Sequence, residues 1–157
     1  MTRFLLDTAV FLYARGREHP YRDPCRELLR HFQEGSLVGE ASVELVQEFG
    51  HVLRRRGLDG RTVRDQALAA AALCRLHGFG EAELRLALNL VAAVPALGMR
   101  DAVHAATALR QGIGLVVSPD KAFDEVPGVE RLDPAGAVTR LLASPPAPRP
   151  PTGRTPT

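Results

Sequence analysis

Apolar residues in this chain come in two patterns: short continuous runs, and longer stretches where they recur every three or four positions. The runs Phe4-Leu5-Leu6 and Leu115-Val116-Val117 have the length and continuity of strands buried on both faces. Leu37-Val38-Gly39 is a weaker strand of the same kind, and Val129-Glu130-Arg131-Leu132 reads as a last edge strand. Helical spacing fills the intervals. One helix passes through Val10, Leu12 and Tyr13. A second runs to about Gln33 with Cys25, Leu28, Leu29 and Phe32 on one side, Asp23 as its N-cap, Pro24 in its first turn and Gly35 as its stop. A third covers about residues 42–56, with Ser42 as N-cap and a stripe of Leu45, Val46, Phe49, Val52 and Leu53. Arg54-Arg55-Arg56-Gly57 ends it, since cations suit the negative end of a helix dipole and glycine permits a left-handed cap. Further helices are predicted over about 61–77 (alanine-rich), about 80–93 (stopped by Pro95) and from Met99 to Gly112. A helical turn near Lys121–Asp124 and a helix at about 134–143 complete the set.

Short apolar strands alternating with helices imply parallel βαβ units and an α/β sandwich. At 157 residues a single domain is expected, over about residues 1–143. The segment 144–157 holds six prolines and no large apolar residue, so it is expected to be a disordered tail. No apolar run reaches membrane-spanning length and no secretory signal is evident, so the expected compartment is the cytoplasm, away from membranes. Cys25 and Cys74 are far apart and lack metal-ligand spacing, and both read as packing residues on helices. Net charge is only +2, with Lys121 the single lysine. The arginine bias is compatible with a nucleic-acid partner, but a charge this small does not identify one.

Four acids change the picture. In a parallel sheet the loops leaving the strands' carboxyl ends gather on one edge, where ligands bind. Asp7 follows the first strand and Asp120 follows Leu115-Val116-Val117 through Ser118-Pro119, so topology sends both to that edge. Each also has a plain alternative as a helix cap. Asp101 falls in the first turn of its helix, where the dipole favours an anion by about 0.3–1 kcal/mol. Glu48 lies at the border of the apolar stripe of the third helix, and Glu44, one turn earlier, lies further toward solvent. Periodicity therefore favours Glu48, with Glu44 as its competitor. Asp124, one turn beyond Asp120, is an auxiliary candidate whose ordinary fate is the surface. His104 stands near Asp101, but a lone histidine on a packed helix is more often structural.

Crowded carboxylates raise one another's pKa unless a cation intervenes. Oxygen-only ligands select hard ions such as Mg²⁺ or Mn²⁺, which suit phosphodiester hydrolysis. No serine or cysteine triad and no phosphate-binding glycine loop competes with that reading.

The stretches Leu5-Leu6-Asp7-Thr8, Ser42 through Glu48-Phe49, Arg100-Asp101-Ala102-Val103-His104-Ala105-Ala106 and Val117-Ser118-Pro119-Asp120-Lys121-Ala122-Phe123-Asp124 resemble, in order and spacing, the acidic motifs of PIN-domain ribonucleases. The likeness is greatest to the VapC-type toxins of toxin–antitoxin pairs. It implies a three-layer α/β/α sandwich around a central parallel sheet, Mg²⁺- or Mn²⁺-dependent endoribonuclease activity on RNA, a homodimer, and inhibition by a small antitoxin protein. Asp7, Glu48, Asp101 and Asp120 would be the catalytic metal ligands, with Asp124 auxiliary and Thr8 and Ser118 supporting them. Two rival classes stand beside it: a catalytically silent PIN-like module that binds RNA or protein, and a phosphatase or phosphotransfer domain. Asp7-Thr8-Ala9 lacks the second aspartate that the latter would need.

Overall fold

In the computed structural model, residues 2–143 are described; the proline-rich segment 144–157 lies outside them. Five strands form one parallel sheet: β1 (Leu5–Leu6), β2 (Gly39–Ser42), β3 (Cys74–His77), β4 (Leu115–Val117) and β5 (Glu130–Leu132). Seven helices connect and cover them: α1 (Ala9–Arg15), α2 (Arg22–Glu34), α3 (Val43–Arg55), α4 (Gly60–Ala72), α5 (Glu81–Ala93), α6 (Met99–Arg110) and α7 (Pro134–Leu142). A 3₁₀ turn occupies Lys121–Glu125.

The strand alternation builds two cores. Leu6 and Val117 point to one face and pack with α1, α2, α3 and α7 through Val10, Leu28, Leu45, Phe49 and Leu141. Their neighbours Leu5 and Val116 point to the other face and pack with α5, α6 and the 3₁₀ turn through Leu90, Ala102, Ala105, Ala106 and Phe123. The expected α/β/α sandwich is the result, because a two-residue side-chain period serves both faces of a fully buried strand.

Sheet order is β3-β2-β1-β4-β5. The chain winds outward from β1 through β2 and β3, then returns to the far side of β1 for β4 and β5. The order therefore reverses between β1 and β4, and the crevice beyond their carboxyl ends is where such sheets bind ligands.

Three local expectations need correction. The second strand is Gly39–Ser42, not Leu37-Val38-Gly39. Val38 is exposed, while the polar Glu40 is buried because it finds hydrogen-bonding partners in Arg3 and His77. Gly39 is needed there, since a Cβ would meet Leu6 Cδ1 at 2.9 Å and the Phe32 ring at 3.1 Å. The alanine-rich helix stops at Ala72, and Cys74–His77 is a strand pairing with Gly39–Ser42 along its whole length. Cys74 is thus on a strand, although its packing role stands: burial pushes the thiols of Cys25 and Cys74 up to about 12. Finally, α2 begins at Arg22 with Tyr21 at its N-cap position, so Asp23 supports the first turn as a charge rather than as a cap.

The cap of α3 is as expected: Ser42 Oγ accepts from the Glu44 amide at 3.1 Å. Among the described residues no helix is long and apolar enough to cross a membrane.

Candidate active site

Asp7 is the first residue after β1, and its amide donates to Val117 O at 3.0 Å, tying it to the end of β4. Its carboxylate is 6% exposed. Oδ2 accepts from Ser118 Oγ at 2.6 Å, and Oδ1 lies 3.7 Å from His104 Nε2. Burial pushes the Asp7 carboxyl above the usual range; the nearby His104 ring, the Ser118 hydroxyl and the Ala9 amide only partly offset that. The amide contact leaves Asp7 something of the capping role, but the rest of its surroundings is not that of a cap.

Glu48 reaches the same crevice from α3. Its Oε2 accepts from Thr8 Oγ1 at 2.7 Å and lies 3.2 Å from His104 Nε2, while Oε1 has only Arg100 Nη1 at 3.4 Å. Burial works against its charge, but His104, Thr8 and Arg100 together hold the carboxyl below the usual range. Glu44 does not line the cleft that Glu48 shares with Asp7, Asp101 and Asp120; it lines an adjoining depression of about 150 Å³ together with Glu48, His51, Arg100 and His104. The helical phase that favours Glu48 is thus realised in space.

Asp101 projects from the first turn of α6, and Asp120 follows β4 and opens the 3₁₀ turn. Asp120 does cap that turn: its Oδ1 accepts from the Ala122 amide at 2.9 Å, and its own amide donates to Ser118 Oγ at 3.0 Å. Burial, the neighbouring Asp120 carboxyl and the charges of Asp7 and Glu48 push Asp101 up to about 8, while the Asp101 carboxyl, the Ala122 amide and Arg131 hold Asp120 low. Repulsion between the neighbouring carboxylates thus adds to burial in disfavouring the charge on Asp101.

These four acids, with Thr8, Tyr13 and Pro119, line one open cleft of about 350 Å³ at the β1/β4 crevice. Asp124 is not among its lining residues; both its oxygens are taken by Arg131, at 2.9 and 3.1 Å, on the exposed surface. As the side chains stand, no three His, Cys, Asp or Glu residues among those described close tightly enough to enclose an ion. The donor chemistry nevertheless fits a hard divalent cation. All four cleft acids offer oxygen, Asp7 and Glu48 each have one oxygen tied by a hydroxyl and a second with no hydrogen bond shorter than 3.4 Å, and Asp101 has an unfavourable charge to neutralise.

Spacing alone did not bring three further residues to this site. His104 is 1% exposed and touches both Glu48 and Thr8, which only the packing of α6 against α1 and α3 reveals. Arg100 reaches back to Glu48, and Arg131 braces the β4 end by donating to Ser118 O at 3.2 Å.

Comparison with known proteins identifies the family and the fold. Residues 4–129 match the family model described as PIN domain. The chain is 37% identical to Ribonuclease VapC7 of Mycobacterium tuberculosis over 147 residues, covering 87% of this chain and 97% of that protein. It is 36% identical to Ribonuclease VapC23 of the same species over 123 residues, covering 76% and 90%. Among solved structures, DNA-bound VapBC from Salmonella typhimurium superposes with a TM-score of 0.62 at 18% identity, covering 85% of this chain and 99% of that one.

Proposed function

The chain belongs to the PIN-domain family, and we propose that it is an endoribonuclease dependent on Mg²⁺ or Mn²⁺, acting as the toxin of a toxin–antitoxin pair. The observation that carries the proposal is the cleft itself: four carboxylates at the reversal point of a parallel sheet, with no lysine or arginine among the residues that line it. Such a charge deficit is costly in a folded protein unless a cation completes it. The VapC relatives, which bear the name ribonuclease and match nearly end to end, support the same activity.

Asp7, Glu48, Asp101 and Asp120 would hold the ion, which when bound supplies Lewis acidity at the scissile phosphate. The remaining chemistry belongs to the chain. Ser118 and Thr8 fix the rotamers of Asp7 and Glu48, so the free oxygens face the cleft before substrate arrives. Burial and the neighbouring carboxylates disfavour the charge on Asp101, and a bound cation would offset both. Arg100, 60% exposed at the rim, is placed to meet an incoming phosphate once it lets go of Glu48.

A small antitoxin that covers this cleft, and a homodimeric toxin, complete the proposal; the structural neighbours include solved toxin–antitoxin complexes. The test uses purified protein, freed of any partner, with RNA and Mg²⁺ or Mn²⁺. Cleavage that requires the ion and disappears in Asp7→Asn supports the reading; equal cleavage by wild type and Asp7→Asn defeats it.

A further inference from the structure

Glu48 is the acid whose placement depends most on outside help. It is on a helix border rather than at a strand end, its side chain is 17% exposed, and Arg100 draws Oε1 outward from 3.4 Å. What holds it inward converges on His104. That ring is 1% exposed and lies one turn along α6 from Asp101. Its Nε2 sits 3.2 Å from Glu48 Oε2, 3.2 Å from Thr8 Oγ1 and 3.7 Å from Asp7 Oδ1. Carboxylate oxygens can only accept, so Nε2 is the nitrogen that donates. Nδ1 is buried with no hydrogen-bond partner among the described residues. A buried polar atom left unpaired costs stability, and a plain core position would be filled more cheaply by leucine. The ring is therefore retained for what Nε2 does.

We infer that His104 is a positioning residue for the metal site. Its Nε2–H pins one oxygen of Glu48, bridges toward Asp7, and leaves Glu48 Oε1 as the oxygen offered to the ion. One nitrogen thereby ties α6 to the starts of α1 and to α3, so three of the four acids keep a common geometry. The inference rests on the metal-dependent reading above.

Glutamine and asparagine separate this role from simple space filling. The amide nitrogen of Gln falls near the position of Nε2, whereas that of Asn falls near Nδ1, which here faces no partner. The experiment measures Mn²⁺ binding by calorimetry to wild type, His104→Gln, His104→Asn and His104→Leu, each checked for folding by its melting temperature. His104→Gln should stay within about threefold of the wild-type Kd, and His104→Asn and His104→Leu should lose about tenfold or more, the range for groups that orient metal ligands. Excess Mn²⁺ should restore much of the cleavage rate in His104→Asn. Identical Mn²⁺ affinities in the Gln, Asn and Leu variants would assign His104 to the core and overturn the inference. Wild-type protein that binds no Mn²⁺ would instead overturn the metal reading beneath it.

Discussion

Two acidic sites lie against the same sheet, Glu40 alone and four acids together, and the surrounding residues treat them oppositely. Glu40, in the middle of β2, is 3% exposed and accepts from Arg3 Nε and Nη2 at 2.9 and 2.8 Å and from His77 Nε2 at 2.8 Å. The Arg3 hydrogen bond, opposed by burial and helped by His77, holds it below the usual carboxylate range. At the ends of β1 and β4 four acids share one cleft, yet the cations nearby stay at its margin: Arg100 touches only Glu48, and Arg131 is given to Asp124. A carboxylate kept for structure is folded together with its own cation. A cluster kept for a ligand has fewer cations than acids, and hydroxyls and the His104 ring hold its oxygens in place.

Mutations should separate the two groupings sharply. Asp7→Asn is expected to cost at least about a thousandfold in RNA cleavage, the several kcal/mol a catalytic cation supplies. Its melting temperature without metal should hold or rise, because burial disfavours the charge that is removed. A large drop in melting temperature would mean that Asp7 belongs with Glu40 as a structural acid.

Within the cleft, Glu48→Gln should reduce cleavage by about a hundredfold while Glu44→Gln stays within about twofold, given that only the former loses an ion-facing charge. The opposite ranking, read from cleavage rates at saturating Mg²⁺, would move the fourth ligand one helical turn back. For Glu40→Gln the loss should appear in denaturant unfolding rather than in catalysis. About 2 kcal/mol is expected for weakening a buried hydrogen-bonded charge whose Arg3 partner is half-exposed.

The two groupings should also respond to pH with opposite sign. Asp101 is raised from 3.8 to about 8, so between those values the folded chain binds a proton that the unfolded chain has released. Stability in chelator should therefore fall as pH rises through that window, and Asp7, shifted the same way, adds to the fall. Saturating Mg²⁺ should flatten it. Glu40 is lowered from 4.5, so its contribution is present above that value and is lost as pH falls through its folded pKa. Melting curves from pH 2 to 9 with and without Mg²⁺ test both slopes; a metal-free profile that climbs steadily to pH 8 contradicts the assignment of the cleft. The smallest effect belongs to Asp124→Asn, where an exposed ion pair is lost and cleavage should change by less than about twofold.

Much of this contrast was legible in the chain, and some could not be. Asp7 and Asp120 follow continuous apolar runs, so the parallel topology alone sends them to one edge. Glu48 could be told from Glu44 because helical phase survives in a single sequence. Asp124 shows the limit: a one-turn spacing from Asp120 put it near the cluster, but Arg131, seven residues further along, takes both its oxygens. Cys74–His77 shows another. Its Cys-Arg-Leu-His alternation is weak and follows an alanine-rich helix, so only pairing with β2 turns it into a strand. Glu40 gave no signal, since its partners Arg3 and His77 are each 37 residues away.

By itself the sequence determined the alternation of strands and helices, the three-layer class, and the sheet edge that Asp7 and Asp120 reach. These follow from side-chain periods and strand direction, which are local properties. The tertiary structure decided which acids are neutralised and which are left in deficit. It made Glu40 structural through Arg3 and His77, removed Asp124 to the surface, and set His104 beneath Glu48 and Thr8. Those outcomes depend on where a cation or donor from a distant segment lands within about 3 Å, a distance that spacing along the chain does not encode.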